Sequence, residues 1–381
     1  MKKGTWSEIN LNNIKDNLYA LREGLKDVTK VCCVVKADAY GHGAVEVSKM
    51  LEKENVDYLS VARFEEAIEL REAGIKIPIL CMGYVCKNDI REALEKNITL
   101  TVYSYDMAKI ISEEAYSLGA IGKIHIKIDT GMNRIGFLPT DKSADEIEEI
   151  SRLKYLYIEG IYTHFATADE LDKEETYSQV SRFKYVLERL EEMGVDIIIK
   201  HVSNSAATID LKELDFNMVR LGIGLYGYYP STDVSRDIEL KPALTLKTKV
   251  TNIKDVKAGT RISYGYTYEF KEDSRVATLS IGYADGFDRT QANPKVKING
   301  VLCDVVGRIC MDQCMIRIPD SLDVKIEDEV KVISNEDGIR AEDLAQKSGT
   351  INYEILCMIS RRVARHYYTD DKLIRVVSYM N

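Results

Sequence analysis

From residue 30 to about residue 225, short apolar runs alternate with segments of helical periodicity. A run such as VCCVVKA (31–37) has the continuous apolar character of a strand buried on both faces. A segment such as AVEVSKMLEKE (44–54) repeats apolar residues at helical spacing, which predicts an amphipathic helix. The runs predicted as strands span residues 31–37, 57–62, 78–83, 98–104, 123–129, 156–164, 196–203 and 216–223.

This alternation predicts an α/β fold with a parallel sheet, because parallel strands need crossover connections. Eight strand–helix units within roughly 200 residues favour a closed (β/α)8 barrel of the TIM type. The pattern alone leaves an open doubly wound sheet as the alternative.

After about residue 240 the pattern changes to alternating strands with turn residues between them, as in ALTLKTKVTNI and RVATLSIGYA. Only AEDLAQKSG and YEILCMISRRVARHY have a helical pattern there. The polar segment YYPSTDVSRDIELKP (228–242) is the predicted linker. We therefore predict a barrel domain over residues 1–238 and a mostly β domain over residues 239–381.

Composition excludes several classes of protein. The net charge is −9 and Lys and Arg form no basic block, which argues against a nucleic-acid surface. The N-terminal MKKGTWSEIN has no apolar segment of a signal peptide, and no run is long enough to span a bilayer. The eight cysteines include no Cys-x-x-Cys pair, so we expect no metal site and thiols buried in a reducing cytoplasm.

Reactive residue types recur where the predicted barrel strands end, which is where TIM-type barrels carry their active sites. These residues are Lys36, Arg134, His164, Ser203, Ser205 and Arg220. Each alone has an ordinary explanation, as a surface charge, a structural histidine or an ion-pair partner. Their convergence on one rim favours a functional site. Ser205 and the Gly222–Ile223 backbone suit a phosphate, and a lysine above a phosphate site suggests a Schiff base with pyridoxal 5'-phosphate (PLP).

Eight segments resemble the alanine racemase family, in the same order and across almost the whole chain. They are VVKADAYGHG, IKIDTGMNRIGF, THFATAD, FNMVRLGIGLYG, SYGYTY, IGYADGF, VGRICMDQ and NYEILCMISRRV. The resemblance implies a PLP-dependent enzyme with an N-terminal barrel and a C-terminal β domain. It also implies a homodimer whose active sites are shared between the two chains.

The resemblance assigns roles to individual residues. It places the cofactor on Lys36, a catalytic base, and makes Tyr264 the second base. It puts Arg220 at the pyridine nitrogen with His164 supporting it, and Arg134 and Met311 at the substrate carboxylate. Lys127 matches a lysine that is often carbamylated. The matched phosphate-binding positions are Tyr40, Ser205, Gly222, Ile223 and Tyr353, and those lining the corridor to the site are Asp169, Tyr283, Arg289 and Arg308.

The chemistry of racemisation agrees with these roles. A proton must leave Cα on one face and another must return on the opposite face, which needs two bases. A tyrosine can act as one of them only if nearby positive charge lowers its pKa from about 10. Arg220 should stay charged and keep the pyridine nitrogen unprotonated, which weakens the ring as an electron sink and restrains side reactions.

The expected reaction interconverts L-alanine and D-alanine, with D-alanine supplying bacterial peptidoglycan. The sequence leaves a racemase for serine or a basic amino acid open, because a small pocket rejects one extra hydroxyl only modestly. A non-catalytic PLP carrier on the same barrel would lack the C-terminal domain that holds Tyr264. A decarboxylase on a related barrel would need a different set of C-terminal motifs.

Overall fold

A computed structural model of the protein describes residues 4–380. The strands are β1 (Thr5–Asn10), β2 (Lys30–Val34), β3 (Tyr58–Val61), β4 (Ile79–Cys81), β5 (Ile98–Val102), β6 (Gly122–Lys127), β7 (Leu156–Tyr162), β8 (Ile199–His201), β9 (Met218–Leu221), β10 (Leu244–Val256), β11 (Arg261–Ile262), β12 (Tyr268–Glu269), β13 (Ser274–Leu279), β14 (Lys295–Ile298), β15 (Val301–Asp304), β16 (Cys314–Ile318), β17 (Glu329–Ile333), β18 (Ala364–Thr369) and β19 (Lys372–Val377).

The helices are α1 (Leu11–Glu23), α2 (Lys36–Tyr40), α3 (Ala44–Lys53), α4 (Phe64–Glu72), α5 (Ile90–Glu95), α6 (Tyr105–Leu118), α7 (Asp141–Ser151), α8 (Glu174–Glu192), α9 (Ser205–Asp210), α10 (Ala341–Ser348) and α11 (Asn352–Cys357). Short 3₁₀ helices occur at Lys87–Asp89, Lys212–Leu214, Ile223–Tyr226, Tyr264–Tyr266 and Tyr283–Asp285. Within residues 4–380, no helix combines the length and apolar character needed to cross a membrane.

The chain divides into two compact units. The barrel unit contains residues 15–39 and 44–241, and the C-terminal unit contains residues 1–14, 40–43 and 242–381. The predicted boundary at residue 238 therefore differs from this division chiefly at the N-terminus and at residues 40–43. Both of these segments group with the C-terminal unit.

The barrel unit is built on eight parallel strands in the order β8-β7-β6-β5-β4-β3-β2-β9. Single hydrogen bonds join β9 to β8, from Asn217 N–H to the Lys200 carbonyl (3.3 Å) and from Arg220 N–H to the Ser203 carbonyl (3.0 Å). The barrel is therefore nearly closed. The eight predicted strands are all present, and the prediction of a (β/α)8 barrel rather than an open sheet is confirmed.

An apolar layer fills part of the barrel interior. Five strands contribute one buried side chain each, from Cys32, Tyr58, Leu80, Ile199 and Met218. Side chains from five different strands of a barrel can meet only inside it. This layer supports the strands whose ends carry the candidate site.

The C-terminal unit contains a large, mostly antiparallel sheet. Its main path runs β15-β14-β17-β10-β1-β18-β19, and β13 pairs with both β10 and β16. Strand β1 lies between β10, to which it is antiparallel, and β18, to which it is parallel. Trp6 on β1 is fully buried. The N-terminal residues thus complete a sheet formed by residues more than 230 positions away, a pairing that local pattern cannot reveal.

One predicted helix is partly wrong. The pattern YEILCMISRRVARHY predicts a helix over residues 353–367, but α11 ends at Cys357 and β18 begins at Ala364. Residues 364–368 pair with β1, and β19 pairs on the other side of β18. Tertiary pairing therefore overrides the helical periodicity of this segment.

Candidate active site

The backbone after β2 follows an unusual path at the predicted cofactor lysine. Lys36 begins α2, in which Ala37, Asp38, Ala39 and Tyr40 all have φ between +51° and +54°. Left-handed geometry costs roughly 1–2 kcal/mol for each non-glycine residue and seldom extends beyond one residue. Runs of strained backbone of this kind concentrate at functional sites.

Two acidic side chains hold this left-handed turn in the barrel unit. Ala37 N–H donates to Oε1 of Glu66 (2.6 Å). Ala44 N–H donates to Oδ1 of Asp38 (2.9 Å), which closes the loop onto the start of α3. The orientation of the chain at Lys36 is therefore fixed by local hydrogen bonds rather than left to a mobile loop.

Arg220, on β9, is buried and surrounded by neutral acceptors. Nη1 donates to the His201 carbonyl (3.1 Å) and contacts His201 Nδ1 (3.0 Å). Nη2 donates to the carbonyls of Thr163 (2.9 Å) and Val202 (2.8 Å) and contacts His164 Nδ1 (3.2 Å). These contacts use the terminal nitrogens and leave Nε–H as the guanidinium donor that bonds no residue within 4–380.

The histidines around Arg220 are neutral. Burial and the Arg220 charge lower the pKa values of His164 and His201 well below their usual range. The charges of Arg134 and Lys36 also act on His164, so these cations face the same imidazole. Burial lowers the pKa of Arg220 to about 10, which leaves the guanidinium charged at neutral pH. A neutral imidazole can accept a hydrogen bond from arginine, whereas an imidazolium cannot.

Backbone donors converge on the hydroxyl of Ser205 at the start of α9. Gly222 N–H (2.9 Å) and Gly224 N–H (3.3 Å) both donate to Ser205 Oγ. The side chain of Asn204 caps α9 by accepting from Ala207 N–H (3.0 Å). Two glycine amides therefore converge on one oxygen atom, and converging backbone amides of this kind can bind an oxyanion.

Lys127, at the end of β6, is buried among positive charges. Its Nζ donates to the Ile128 carbonyl (2.6 Å). Burial is the main reason that its pKa falls to about 7; Arg220 and Arg134 lower it further, and Asp129 opposes them. The amine of Lys127 is therefore substantially neutral near pH 7.

The loop after β6 is shaped by Asp129. Its Oδ1 accepts hydrogen bonds from Gly131 N–H (3.1 Å) and Asn133 N–H (2.9 Å). The neighbouring Gly136 has φ +136°, and a Cβ there would lie 2.5 Å from the Asp129 nitrogen. This folded loop carries Arg134, whose side chain is exposed.

In the C-terminal unit, Tyr264 lies at the tip between β11 and β12. Its side chain is 64% exposed. The preceding Ser263 has φ +65°, and its hydroxyl donates to the Arg308 carbonyl (2.6 Å). This bond fixes the tyrosine-bearing tip against the loop that contains Arg308 and Met311.

Met311 and Tyr283 are held together by backbone hydrogen bonds. Tyr283 N–H donates to the Cys310 carbonyl and Ala284 N–H donates to the Met311 carbonyl, both at 3.0 Å. A Cβ on Gly282 would lie 2.3 Å from both of these carbonyl oxygens, so this close approach requires glycine. The C-terminal unit therefore brings the predicted residues Tyr264, Met311 and Tyr283 onto one framework.

These tips border an open groove of about 760 Å³ within the C-terminal unit. Its floor and rim are polar and aromatic, and Tyr266 and Met311 are more than half exposed. Its lining residues are Ser263, Tyr264, Gly265, Tyr266, Cys310, Met311, Asp312 and Gln313.

The remaining predicted residues occupy less central positions within their units. The rings of Tyr40 and Tyr353 lie 6.1 Å apart. The Arg289 guanidinium lies 5.8 Å from the centre of the Tyr283 ring. Asp169, in the barrel unit, accepts a hydrogen bond at its carbonyl from Ser231 Oγ.

Sequence reasoning missed three polar side chains that lead away from Arg220, namely His201, His125 and Glu159. His201 and His125 are fully buried in the barrel. A signal is present in KIHIKID (123–129), where polar and apolar residues alternate strictly within a predicted barrel strand. Alternation in a barrel strand directs one set of side chains inward.

Comparison with known proteins gives one consistent family. The profile of the alanine racemase N-terminal domain matches residues 9–230, and that of the alanine racemase C-terminal domain matches residues 243–367. The alanine racemase of Methanococcus maripaludis is 51% identical over 365 residues, which cover 95% of this chain and 98% of that protein. The alanine racemase of Clostridium tetani is 45% identical, with 98% of each chain covered.

Solved structures that resemble this chain belong to the same family. The structure of the alanine racemase of Clostridium difficile 630 has 52% identity, a TM-score of 0.99 and complete coverage of both chains. The complex of that enzyme with cycloserine has a TM-score of 0.96. The alanine racemase of Bacillus anthracis with bound L-Ala-P is 38% identical, covers 100% of this chain and 99% of its own, and has a TM-score of 0.95. With both domains matched over nearly their full length, this chain belongs to the alanine racemase family.

Proposed function

We propose that this protein interconverts L-alanine and D-alanine with PLP as its cofactor. The observation that carries this proposal is the environment of Arg220. A guanidinium that is buried without a carboxylate partner, and whose Nε–H bonds no residue within 4–380, is suited to face a neutral ring nitrogen. When bound, the cofactor would withdraw electrons from Cα of the substrate and so make its proton removable.

The residues of the barrel rim fit such a cofactor. Ser205 with the Gly222 and Gly224 amides would hold the phosphate, together with Ile223. In the C-terminal unit, the rings of Tyr40 and Tyr353 lie 6.1 Å apart, and their phenolic hydroxyls would be further donors to a phosphate.

Lys36 would hold the cofactor and then serve as one base. Arg134 would meet the substrate carboxylate and the phenolic oxygen of the cofactor. His164, neutral and in contact with Arg220, would keep the guanidinium in place.

Tyr264 would be the second base and Met311 would donate its backbone N–H to the substrate carboxylate. Both are held on one framework in the C-terminal unit, and both are exposed. A tyrosine can accept a Cα proton only where nearby positive charge favours its ionised form. We therefore propose that the barrel of a second copy covers this face in a homodimer, where the charges of Arg220 and Arg134 would favour the tyrosinate.

Asp169, Tyr283, Arg289 and Arg308 would line the corridor by which alanine reaches the site. Tyr283 and Arg308 belong to the same framework as Tyr264, and Arg289 stacks near Tyr283. Exposed arginines would attract the carboxylate of a small amino acid.

We also propose that Lys127 is carbamylated. Carbamylation needs the neutral amine, and the lowered pKa of about 7 supplies it at neutral pH. The product is an anion, which converts the repulsion between Lys127 and the two arginines into attraction. Carbon-13 NMR after exchange with labelled bicarbonate should show a protein-bound carbamate that is absent from Lys127→Met. Full activity of the wild type without this signal would rule the carbamate out.

The test of the proposed reaction is a chiral assay of the purified protein. L-Alanine and D-alanine should each be converted to the racemic mixture, and borohydride should attach a pyridoxyl group to the peptide that contains Lys36. Serine and basic amino acids in the same assay address the rival substrates. Labelling without conversion of any amino acid would instead indicate a PLP carrier, and release of carbon dioxide would indicate a decarboxylase.

A further inference from the structure

A row of buried polar groups leads from Arg220 through the barrel interior. His201 Nδ1 lies 3.0 Å from Arg220 Nη1. On the other side of the ring, His201 Nε2 lies 2.9 Å from Nδ1 of His125. Nε2 of His125 then lies 3.7 Å from Oε2 of Glu159. We call His201, His125 and Glu159 the histidine column.

The two ends of the histidine column impose one direction on its hydrogen bonds. Arginine can only donate, so Nδ1 of His201 must accept and its proton must be on Nε2. That proton is donated to Nδ1 of His125, which leaves the His125 proton on Nε2. At the far end, an ionised Glu159 can only accept.

Glu159 is ionised even though its side chain is only 13% exposed. Burial alone would raise its pKa, but the neighbouring polar groups of His125 and Tyr58, together with the Lys123 charge, favour the carboxylate and lower the pKa to about 2. Lys123 Nζ lies 3.2 Å from Oε1 of Glu159. The other carboxylate oxygen, Oε2, and the His125 Nε2 that faces it are both buried, and neither has a hydrogen-bond partner within residues 4–380.

The backbone is built to place these groups together. The pairing of β6 with β7 shifts by one residue, from Ile124 opposite Ile158 to His125 opposite Gly160. Glu159 is the extra residue of this β-bulge, and bulges redirect side chains that regular alternation would point elsewhere. A Cβ on Gly160 would lie 2.5 Å from the His125 ring, so this glycine makes the room that the imidazole occupies.

The alternative is that two histidines merely fill the barrel core. Barrel interiors are usually filled with branched apolar residues, which need no partners. A purely packing role gives no reason for a directed chain between a guanidinium and a carboxylate, nor for a bulge and a glycine at its end. Two N–H groups, or two lone pairs, that face each other at 2.9–3.0 Å would repel. The tautomer of one histidine therefore determines the tautomer of the other.

We propose that the histidine column is a tautomer lock that positions Arg220, with Glu159 as its terminal acceptor. This proposal rests on the proposed role of Arg220 at the ring nitrogen. With the protons of His201 and His125 fixed on Nε2, His201 Nδ1 always offers an acceptor to Arg220 Nη1. The guanidinium then keeps the orientation in which its Nε–H can face the ring nitrogen. Without Glu159, the tautomers with the proton on Nδ1 become accessible. In His201 that tautomer places an N–H group against the N–H donors of Arg220 Nη1.

The direct test uses nitrogen-15 NMR of protein labelled on its histidines, of which the chain has five. Protonated and unprotonated imidazole nitrogens have separate shifts, so the tautomers are read without any enzyme assay. His201→Gln and His125→Gln assign the signals. In the wild type both histidines of the column should be neutral with the proton on Nε2.

Paired variants then test the role of Glu159. Glu159→Gln keeps an acceptor oxygen at nearly the same place, whereas Glu159→Leu removes it. We expect Glu159→Leu to give mixed tautomers and a kcat about 10- to 100-fold lower, the range seen when groups that orient a functional residue are removed. Glu159→Gln should keep the wild-type tautomers and lose about threefold at most. Lys123→Met is the matched control, since it removes the other partner of the carboxylate but leaves the acceptor to His125.

Thermal unfolding and cofactor content verify that each variant is folded. Equal losses in Glu159→Gln and Glu159→Leu with unchanged tautomers would overturn the lock, and so would wild-type tautomers and full kcat in Glu159→Leu. Wild-type protein with the predicted tautomers but no racemase activity would refute the proposed function and leave the directed chain standing.

Discussion

The candidate functional residues of the barrel unit and of the C-terminal unit lie in opposite environments. In the barrel, Arg220 and Lys127 are at most 3% exposed, and every nearby histidine is held neutral. In the C-terminal unit, Tyr264 and Met311 are 64% and 53% exposed, although their backbones are firmly fixed. The barrel groups are enclosed within one chain, whereas the C-terminal groups are fixed in position but open to solvent.

This contrast indicates which of the two sets of candidate residues has its full surroundings within one chain. A parallel barrel brings neighbouring strand ends within hydrogen-bonding distance, so one chain can surround Arg220 with five acceptors. A tyrosine at a hairpin tip gains a lowered pKa only when another charged surface approaches it. The proposed homodimer supplies that surface, and the following experiments are ordered by the size of the effect that we expect.

The largest effect concerns the proposed placement of the two bases, Lys36 and Tyr264, in separate chains of a homodimer. Lys36→Ala and Tyr264→Phe should each lose about 10²–10⁴-fold in racemisation, the usual contribution of a general base. After subunit exchange in an equal mixture, half of the dimers should be heterodimers with one intact site of two. Activity should then return to about a quarter of wild type. Native mass spectrometry of tagged chains must show the heterodimers, and their presence without restored activity would place both bases in one chain.

The next effect concerns the sign of the charge inside the barrel. Arg220→Glu would replace the buried cation with a carboxylate that favours a protonated ring nitrogen. Turnover should fall on the order of a hundredfold, comparable with the loss of one electrostatic catalytic group. A long-wavelength absorption band should accumulate during turnover. Arg220→Lys is the control, because it keeps the charge and should show no such band; the same band in both variants would argue against charge as the cause.

A smaller effect is expected at the proposed phosphate site. Ser205→Ala leaves Gly222 N–H and Gly224 N–H without their acceptor and removes one donor to a phosphate. We expect PLP to bind about 5- to 30-fold more weakly, corresponding to about 1–2 kcal/mol. Titration of the apoprotein by absorbance measures this. Ser203→Ala is the matched control, since Ser203 Oγ bonds the Leu214 carbonyl instead; equal weakening in both would indicate a general packing defect.

The smallest effect, counted per pH unit, is the pH dependence of stability caused by Lys127. Its pKa falls from 10.5 to about 7 on folding, so between these values the unfolded chain binds more protons than the folded chain. Without bicarbonate, the free energy of unfolding should therefore rise with pH from about 7 towards 10.5, by at most about 1.4 kcal/mol per pH unit from this group. Urea unfolding of wild type and Lys127→Met measures the difference. Identical slopes in the two proteins would contradict the lowered pKa.

Much of the fold could be predicted from the sequence, and several candidate site residues could be named from it. Eight apolar runs separated by helical patterns predict the parallel barrel, since their period and order are local properties of the chain. The ends of those runs pointed to Lys36, His164, Ser205 and Arg220, because a parallel strand has a defined carboxyl end. The family motifs supplied the residues of the C-terminal unit, whose roles in catalysis remain proposals.

Features that depend on contacts between distant parts of the chain could be decided only by the tertiary structure. The sequence does not reveal that residues 5–10 enter the C-terminal sheet, or that residues 364–369 form a strand despite their helical periodicity. Nor does it reveal that a bulge at Glu159 and the small Gly160 bring a carboxylate to His125. Periodicity is set by neighbours along the chain, whereas register, bulges and the partners of a buried charge are set by strands that meet only after folding.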